Sequence, residues 1–147
     1  DLVIHFNEIY KIINNKGTYF ASIPNKNECF DHFLPESSIL DVVVAFLEKR
    51  TKPSLKSVLE HRSFISHNWL KDENPFESLN PNRIDLYKQH FDEFNNSDYV
   101  DVHCWQFTPE SFHFIMNQLH ILGLINPISS LEIYPNIGEF YIALKFK

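Results

Sequence analysis

Apolar residues recur with helical spacing at the start of the chain and then give way to a short run of bulky side chains. The first predicted helix spans residues 2–14, and Leu2 and Phe6 begin its apolar stripe. Gly17 is expected to close this helix, because glycine takes positive φ readily at a helix C-terminus. The segment Thr18–Pro24 does not alternate cleanly between apolar and polar positions. It therefore predicts a strand buried on both faces, at the centre of a parallel sheet.

The middle of the chain, residues 37–98, has the pattern of a helical insertion. The pair Ser37-Ser38 is predicted to cap its first helix, with Asp41 favourably placed in the first turn. Pro53 is predicted to start a second helix. A third amphipathic helix is indicated by the helical spacing of Ile84, Tyr87, Phe91 and Phe94.

The last third of the chain returns to an alternation of extended and helical patterns. Tyr99–Phe107 is predicted to be extended, and Thr108 with the proline after it is a strong helix start. Gly123 is expected to end that helix. Two strands follow, Leu131–Tyr134 and Glu139–Phe146, and the short link between them predicts an antiparallel hairpin. The pattern as a whole predicts an α/β fold.

Composition and charge exclude several classes of protein. The 147 residues suit one domain, and 44% hydrophobic residues are enough to build a core. A net charge of −6 without a basic stripe predicts no nucleic-acid partner. The lack of a long apolar run predicts no membrane segment, and the 2 cysteines are expected to be reduced thiols of a cytoplasmic protein. The first residue is Asp rather than Met, so the sequence is expected to derive from something longer.

The 8 histidines raise the question of a metal site. His61 and His67 are six positions apart, and His113 and His120 are seven apart. Neither spacing places two imidazoles on one helical face as a zinc-binding helix does, so no metal site is predicted.

Four stretches of the chain carry a resemblance to a known family. They are Asn7–Lys26, with a helix, a glycine and a strand ending in proline; Cys29–Val43; Asp101–Ile125, with its His-x-Trp-x-Phe-Thr-Pro stretch; and Glu139–Lys147. Joined in this order, they resemble the C-terminal portion of class I S-adenosylmethionine-dependent methyltransferases found with bacterial surface-polysaccharide genes. The sequence departs from the family pattern at Lys16-Gly17, where two glycines are usual.

The resemblance implies the C-terminal half of a Rossmann-like methyltransferase sheet. Residues 1–147 would be a single partial domain, with a helix–strand unit in 1–36, the helical insertion in 37–98, and an extended segment, a helix and a strand hairpin in 99–147. The cofactor of the family is S-adenosylmethionine, held by a glycine-rich loop that this sequence lacks, as its 3 glycines are far apart. The resemblance therefore implies a portion that acts on a small or saccharide acceptor and is inactive alone.

Two groups of residues are candidates for the chemistry. Asp31 and His32 follow the first strand, where ligands of open α/β sheets bind, so Asp31 is a candidate base and His32 a candidate substrate contact. His103 is a second candidate base, with Trp105 and Tyr99 as candidate substrate contacts. In each group a structural role stays open, because Asp31 and His32 can tie a loop in place and His103 can be a histidine of the core.

Three hypotheses for the function follow. The first is a methyltransferase portion that works on an acceptor. The second is a non-enzymatic module derived from a methyltransferase, which forms homo-oligomers or recruits the missing N-terminal half. The third is a domain accessory to a glycosyltransferase.

Overall fold

The computed structural model describes residues 1–13, 17–71 and 73–147, so the predicted end of the first helix at residues 14–16 lies outside the described residues. The α-helices are α1 (Leu2–Ile13), α2 (Ile39–Leu47), α3 (Leu55–Phe64), α4 (Arg83–Asn96) and α5 (Pro109–Ile121). The strands are β1 (Tyr19–Pro24), β2 (Ile128–Pro135) and β3 (Glu139–Phe146). None of the described helices has the length and apolar character that crossing a bilayer requires.

The three strands form one antiparallel sheet in the order β1-β3-β2. The C-terminal hairpin was predicted correctly, since β2 and β3 pair antiparallel and Gly138 adopts a φ of 79° in the turn between them. β3 also pairs antiparallel with β1, with Tyr19 opposite Leu144. The fold is therefore α/β, as the sequence predicts.

The prediction that β1 is buried on both faces in a parallel sheet is wrong. Within the described residues β1 pairs only with β3, and it therefore forms an edge of the sheet. Its side chains alternate between half-buried and exposed positions, and the ring of Phe20 is 71% exposed. The reason is that only one face of this sheet is covered by helices, so bulky residues on the other face remain in solvent.

Side chains of β3 show which face of the sheet is covered. Phe140, Ile142 and Leu144 are buried in the main apolar cluster, whereas Tyr141 between them is 42% exposed. Tyr134 of β2, which lies opposite Tyr141, is 50% exposed. The sheet and its helices thus form two layers with the core between them.

The main core is formed by α1, α2 and α5 against the covered face of the sheet. Phe112 of α5 lies at its centre, with its ring 5.7 Å from that of Phe140, 5.4 Å from that of Phe107 and 6.3 Å from that of Phe6. α1 contributes Phe6 and Val3, which are buried, as its apolar stripe predicts.

The helix ends follow from local chemistry. Thr108 caps α5 and Ser38 caps α2, as the sequence predicts. The structure adds that Asp41 completes a capping box with Ser38. Ser54 caps α3, so the helix starts two residues later than the Pro53 start that we predicted. Beyond α1, a Cβ at Gly17 would lie only 2.8 Å from the Cβ of Ile13. Gly17 does not take the positive φ that we predicted, and glycine is needed there instead for a close approach of the chain.

A second, smaller apolar cluster lies between α3 and the start of the segment that precedes α5. Val58 of α3 packs with Val100 and Val102, and Phe94 of α4 lies against them. The predicted third helix is present as α4, and none of its described residues is buried. Range 37–98 divides between the two clusters, because Val42 of α2 belongs to the main core.

Candidate functional site

Two segments meet beyond the carboxyl end of β1. The loop that follows β1 carries residues 25–36, and the segment before α5 carries residues 99–107. They are joined by a bridge between Asn25 and Phe107, and the backbone N–H of Lys26 donates to the carbonyl of Phe107 at 2.9 Å. Directly after the loop, Ser37 forms two further hydrogen bonds with Gln106 of the second segment. The predicted extended segment thus lies against the loop and pairs as a strand only at Phe107.

This junction brings Asp31 and His103 into direct contact. His103 Nδ1 lies 2.7 Å from Asp31 Oδ2, although the two residues are 72 positions apart in sequence. Asp31 is 1% exposed, whereas the side chain of His103 is 36% exposed. The two residues that we predicted as separate candidate bases therefore form one pair, with the carboxylate buried behind the imidazole.

The pair has the chemistry of an oriented proton acceptor. A carboxylate only accepts hydrogen bonds, so the Nδ1 of His103 carries the proton and the Nε2 keeps its lone pair when the ring is neutral. The Nε2 is not buried, and no hydrogen bond to it is formed by the described residues. The hydrogen bond to Asp31 raises the pKa of His103 above its ordinary value, although burial of the ring acts in the opposite direction. A base held in this way suits the removal of a proton from a bound hydroxyl.

His103 lines a groove of about 350 Å³ between β1 and residues 102–107. Trp105 and Phe107 line the groove as well, and their rings are nearly parallel, with an interplanar angle of 9° and a centroid distance of 6.2 Å. His5 of α1 and Tyr19 of β1 also line the groove, with a hydrogen bond of 3.0 Å between the imidazole and the hydroxyl. A groove with apolar, aromatic walls and few polar groups has the character of a small-molecule site.

The other two candidate residues lie away from this groove. His32 Nδ1 lies 2.7 Å from the carbonyl oxygen of Asn27, and the imidazole stacks on Trp69 at an interplanar angle of 18°. Tyr99 lines a smaller cavity of about 120 Å³ together with Arg50 and Lys52. The structure therefore brings Asp31, His103 and Trp105 together and leaves the other two outside.

Three residues at the site were not predicted to belong to it. Phe30 packs on His103 with a centroid distance of 4.7 Å, and His61 of α3 lies 5.9 Å from the same ring. Burial lowers the pKa of His61, so this imidazole favours its neutral form beside His103. The third residue is Lys26, which is only 7% exposed. Sequence spacing alone does not show that this lysine is buried near an aspartate, so Lys26 was not predicted.

The three glycines of the chain do not form the glycine-rich turn that holds S-adenosylmethionine in the family. Such a turn brings the backbone close to the ligand. Gly123 and Gly138 lie at the end of α5 and in the β2–β3 turn, Gly17 lies against the last turn of α1, and none of the three lines the groove with His103. Among the described residues, no group of three His, Cys, Asp or Glu side chains is placed to hold a metal ion.

No protein-family model, no curated protein and no solved structure matches this chain.

Proposed function

We propose that the chain is the acceptor-binding portion of an S-adenosylmethionine-dependent methyltransferase, with His103 as the base that accepts the proton of the acceptor hydroxyl. The observation that carries the proposal is the 2.7 Å contact between His103 and the buried carboxylate of Asp31. This contact orients the free nitrogen of His103, which lines the open groove. Asp31 is a positioning residue, since it acts on the acceptor through His103.

The order of the elements supports the proposal. α1, Gly17 and β1 are followed by helices, by α5 and by the β2–β3 hairpin. This is the order on which the resemblance to the C-terminal portion of the class I methyltransferases rests. The cofactor would be held by protein that lies outside this sequence, because the three glycines of the chain do not form the glycine-rich turn that holds it in the family.

The groove suits an acceptor with a flat face and a hydroxyl group. Trp105 is half-buried and lines the groove, with its ring nearly parallel to the buried ring of Phe107, and His103 lies two positions from Trp105 on the same segment. A sugar ring has one apolar face that can lie on an aromatic side chain and hydroxyls at its rim. A saccharide lying on Trp105 would direct a hydroxyl towards His103, and methyl transfer would then depend mainly on positioning.

The test is a titration of the isotopically labelled chain with sugars. Neutral hexoses, deoxyhexoses and nucleotide sugars are added in turn, and the ring signals of His103 and Trp105 are followed by NMR. We expect saturable shifts of both signals with at least one sugar class. His113, an exposed histidine on α5, is the matched control and is expected not to shift. Saturable binding of S-adenosylmethionine alone to this chain, or no sugar that shifts His103, would contradict the proposal.

A second candidate, a non-enzymatic module that forms homo-oligomers, is favoured by the edge of β1. This edge is uncharged along its six residues, and the part of the chain that the structure describes leaves its outer backbone groups without strand partners beside the exposed ring of Phe20. The opposite edge, β2, is protected by an irregularity near Ser130 and by the charge of Glu132. A strand of this kind favours pairing with a second chain.

Phe20→Lys is expected to weaken self-association, because it places a charge on the uncovered face next to the free edge. Light scattering after size-exclusion chromatography would show a smaller mass for this variant than for the parent at the same concentration. Ile137→Lys is the matched control, since Ile137 is 91% exposed in the hairpin turn and away from the edge. If the parent chain is a monomer at every concentration, the oligomer hypothesis is wrong.

A further inference from the structure

Lys26 is a buried cation that connects both segments of the Asp31–His103 site. Its ammonium Nζ donates to the carbonyl oxygen of His32 at 2.9 Å and to Asn27 Oδ1 at 2.9 Å. The first of these bonds spans the loop that carries Asp31. A buried lysine side chain needs such partners, because an isolated ammonium in an apolar environment is strongly unfavourable.

The backbone of Lys26 holds the other half of the site. Its N–H donates to the carbonyl oxygen of Phe107 at 2.9 Å, next to the bridge between Asn25 and Phe107. Phe107 ends the segment that carries His103. One residue thus fixes the loop of Asp31 through its side chain and the segment of His103 through its main chain.

Lys26 also lies close to buried negative charge. Asp31 Oδ1 is buried and has no hydrogen-bond partner among the described residues. The carboxylates of Asp31 and Glu36 attract the ammonium and oppose the effect of burial, which lowers the pKa of Lys26; the thiol of Cys29 lies near it as well. Lys26 therefore offsets buried negative charge in the state in which His103 is neutral.

We propose that Lys26 is the positioning residue that holds the Asp31 carboxylate against His103. The inference rests on the proposed role of His103 as a base, but its consequence is measurable without methyl transfer. If the loop of Asp31 is released, the hydrogen bond to His103 Nδ1 weakens and the imidazole loses its main stabilising partner.

The test is the substitution Lys26→Met, which keeps the length of the side chain and removes the ammonium. The pKa of His103 is measured by NMR titration of its ring Cε1–H signal, assigned with His103→Gln. We expect the pKa of His103 to fall by about one unit, because it loses the contact with an opposite charge. A role limited to charge predicts the opposite sign, since removing a nearby cation favours protonation of the imidazole.

The other groups that face His103 remain in the variant. They are Asp31 from the loop, Asp101 from its own segment and His61 from α3. Lys11→Met is the matched control, because Lys11 is exposed and pairs only with Glu8 among the described residues. Its effect on the pKa of His103 is expected to be nil.

Asn27→Ala provides a second arm in case Lys26→Met does not fold. It removes one of the two acceptors of the same ammonium and is expected to lower the pKa of His103 by less than Lys26→Met does. An unchanged or raised pKa of His103 in whichever variant folds would overturn the role of Lys26. Because the measurement does not involve an acceptor, its failure is distinct from failure of the sugar titration.

Discussion

Replacing Asp31 by asparagine is expected to lower the pKa of His103 by about one to three units, the range for losing an opposite charge at hydrogen-bond distance. The substitution keeps the shape of the side chain and removes its charge. Asp31 is 1% exposed, so water replaces little of what is lost. The burial of the His103 ring then lowers its pKa without the opposing hydrogen bond to a charged Asp31. NMR titration of the His103 ring signals measures the effect directly.

The same pair gives a pH dependence of stability whose sign is fixed. The folded-state pKa of His103 is raised, so its contribution is fully present below the ordinary histidine pKa and is lost as the pH rises through the folded-state value. The part of the stability that comes from His103 is therefore larger in acid, and Asp31→Asn removes it. Asp101→Asn is the matched control, because Asp101 is exposed and has a weaker influence on His103. Equal effects of the two variants on the pKa of His103 would contradict the assignment of the pair.

Phe112→Ala is expected to lower the free energy of unfolding by about 3–5 kcal/mol, the usual cost of emptying a buried aromatic position. Phe112 is 1% exposed, and its ring contacts aromatic rings from α1, β3 and the segment that carries His103. Partial collapse around the cavity would set the value within this range. Urea unfolding followed by circular dichroism measures the change.

Phe114→Ala provides the comparison on the same helix. Phe114 is 57% exposed, and its replacement is expected to change the free energy of unfolding by no more than about 0.5 kcal/mol. The chemistry of the two substitutions is identical, so the difference isolates burial. If both variants lost a similar amount of unfolding free energy, α5 would not pack on the sheet as described.

Helices with strong local signals were predictable from sequence. Thr108 and Ser38 start α5 and α2 through capping boxes, and Gly123 ends α5 with a φ of 68°. These signals act within a few residues and do not depend on the rest of the fold. The hairpin of β2 and β3 was predictable for the same reason.

The exposure of side chains on β1 and α4 could not be predicted from such local signals. The residues of β1 are bulky, but only one face of its sheet is covered by helices, so Phe20 lies in solvent. The stripe of α4 has helical spacing, yet Ile84 and Phe91 are 54% and 47% exposed. Periodicity predicts which residues share a face, whereas burial depends on what packs against that face.

For the site, the sequence indicated the residue types but not their association. Asp31 and His103 were predicted from two separate stretches, and only the three-dimensional structure shows them as one pair. Lys26 was not predicted, because its importance comes from burial and from a bond to the carbonyl oxygen of His32. His32 was predicted as a substrate contact, but its side chain contacts Asn27 and Trp69.

The pairing of β1 with β3 has a consequence for how the protein is made. Tyr19 pairs with Leu144, so the first strand leaves the ribosome long before its partner is synthesised. At the usual rate of 5–20 residues per second, the interval for roughly 120 residues is about 6–25 s. During that time the apolar side chains of α1 and β1 lack the strand on which they pack. The nascent chain is therefore expected to need chaperone protection until β3 emerges.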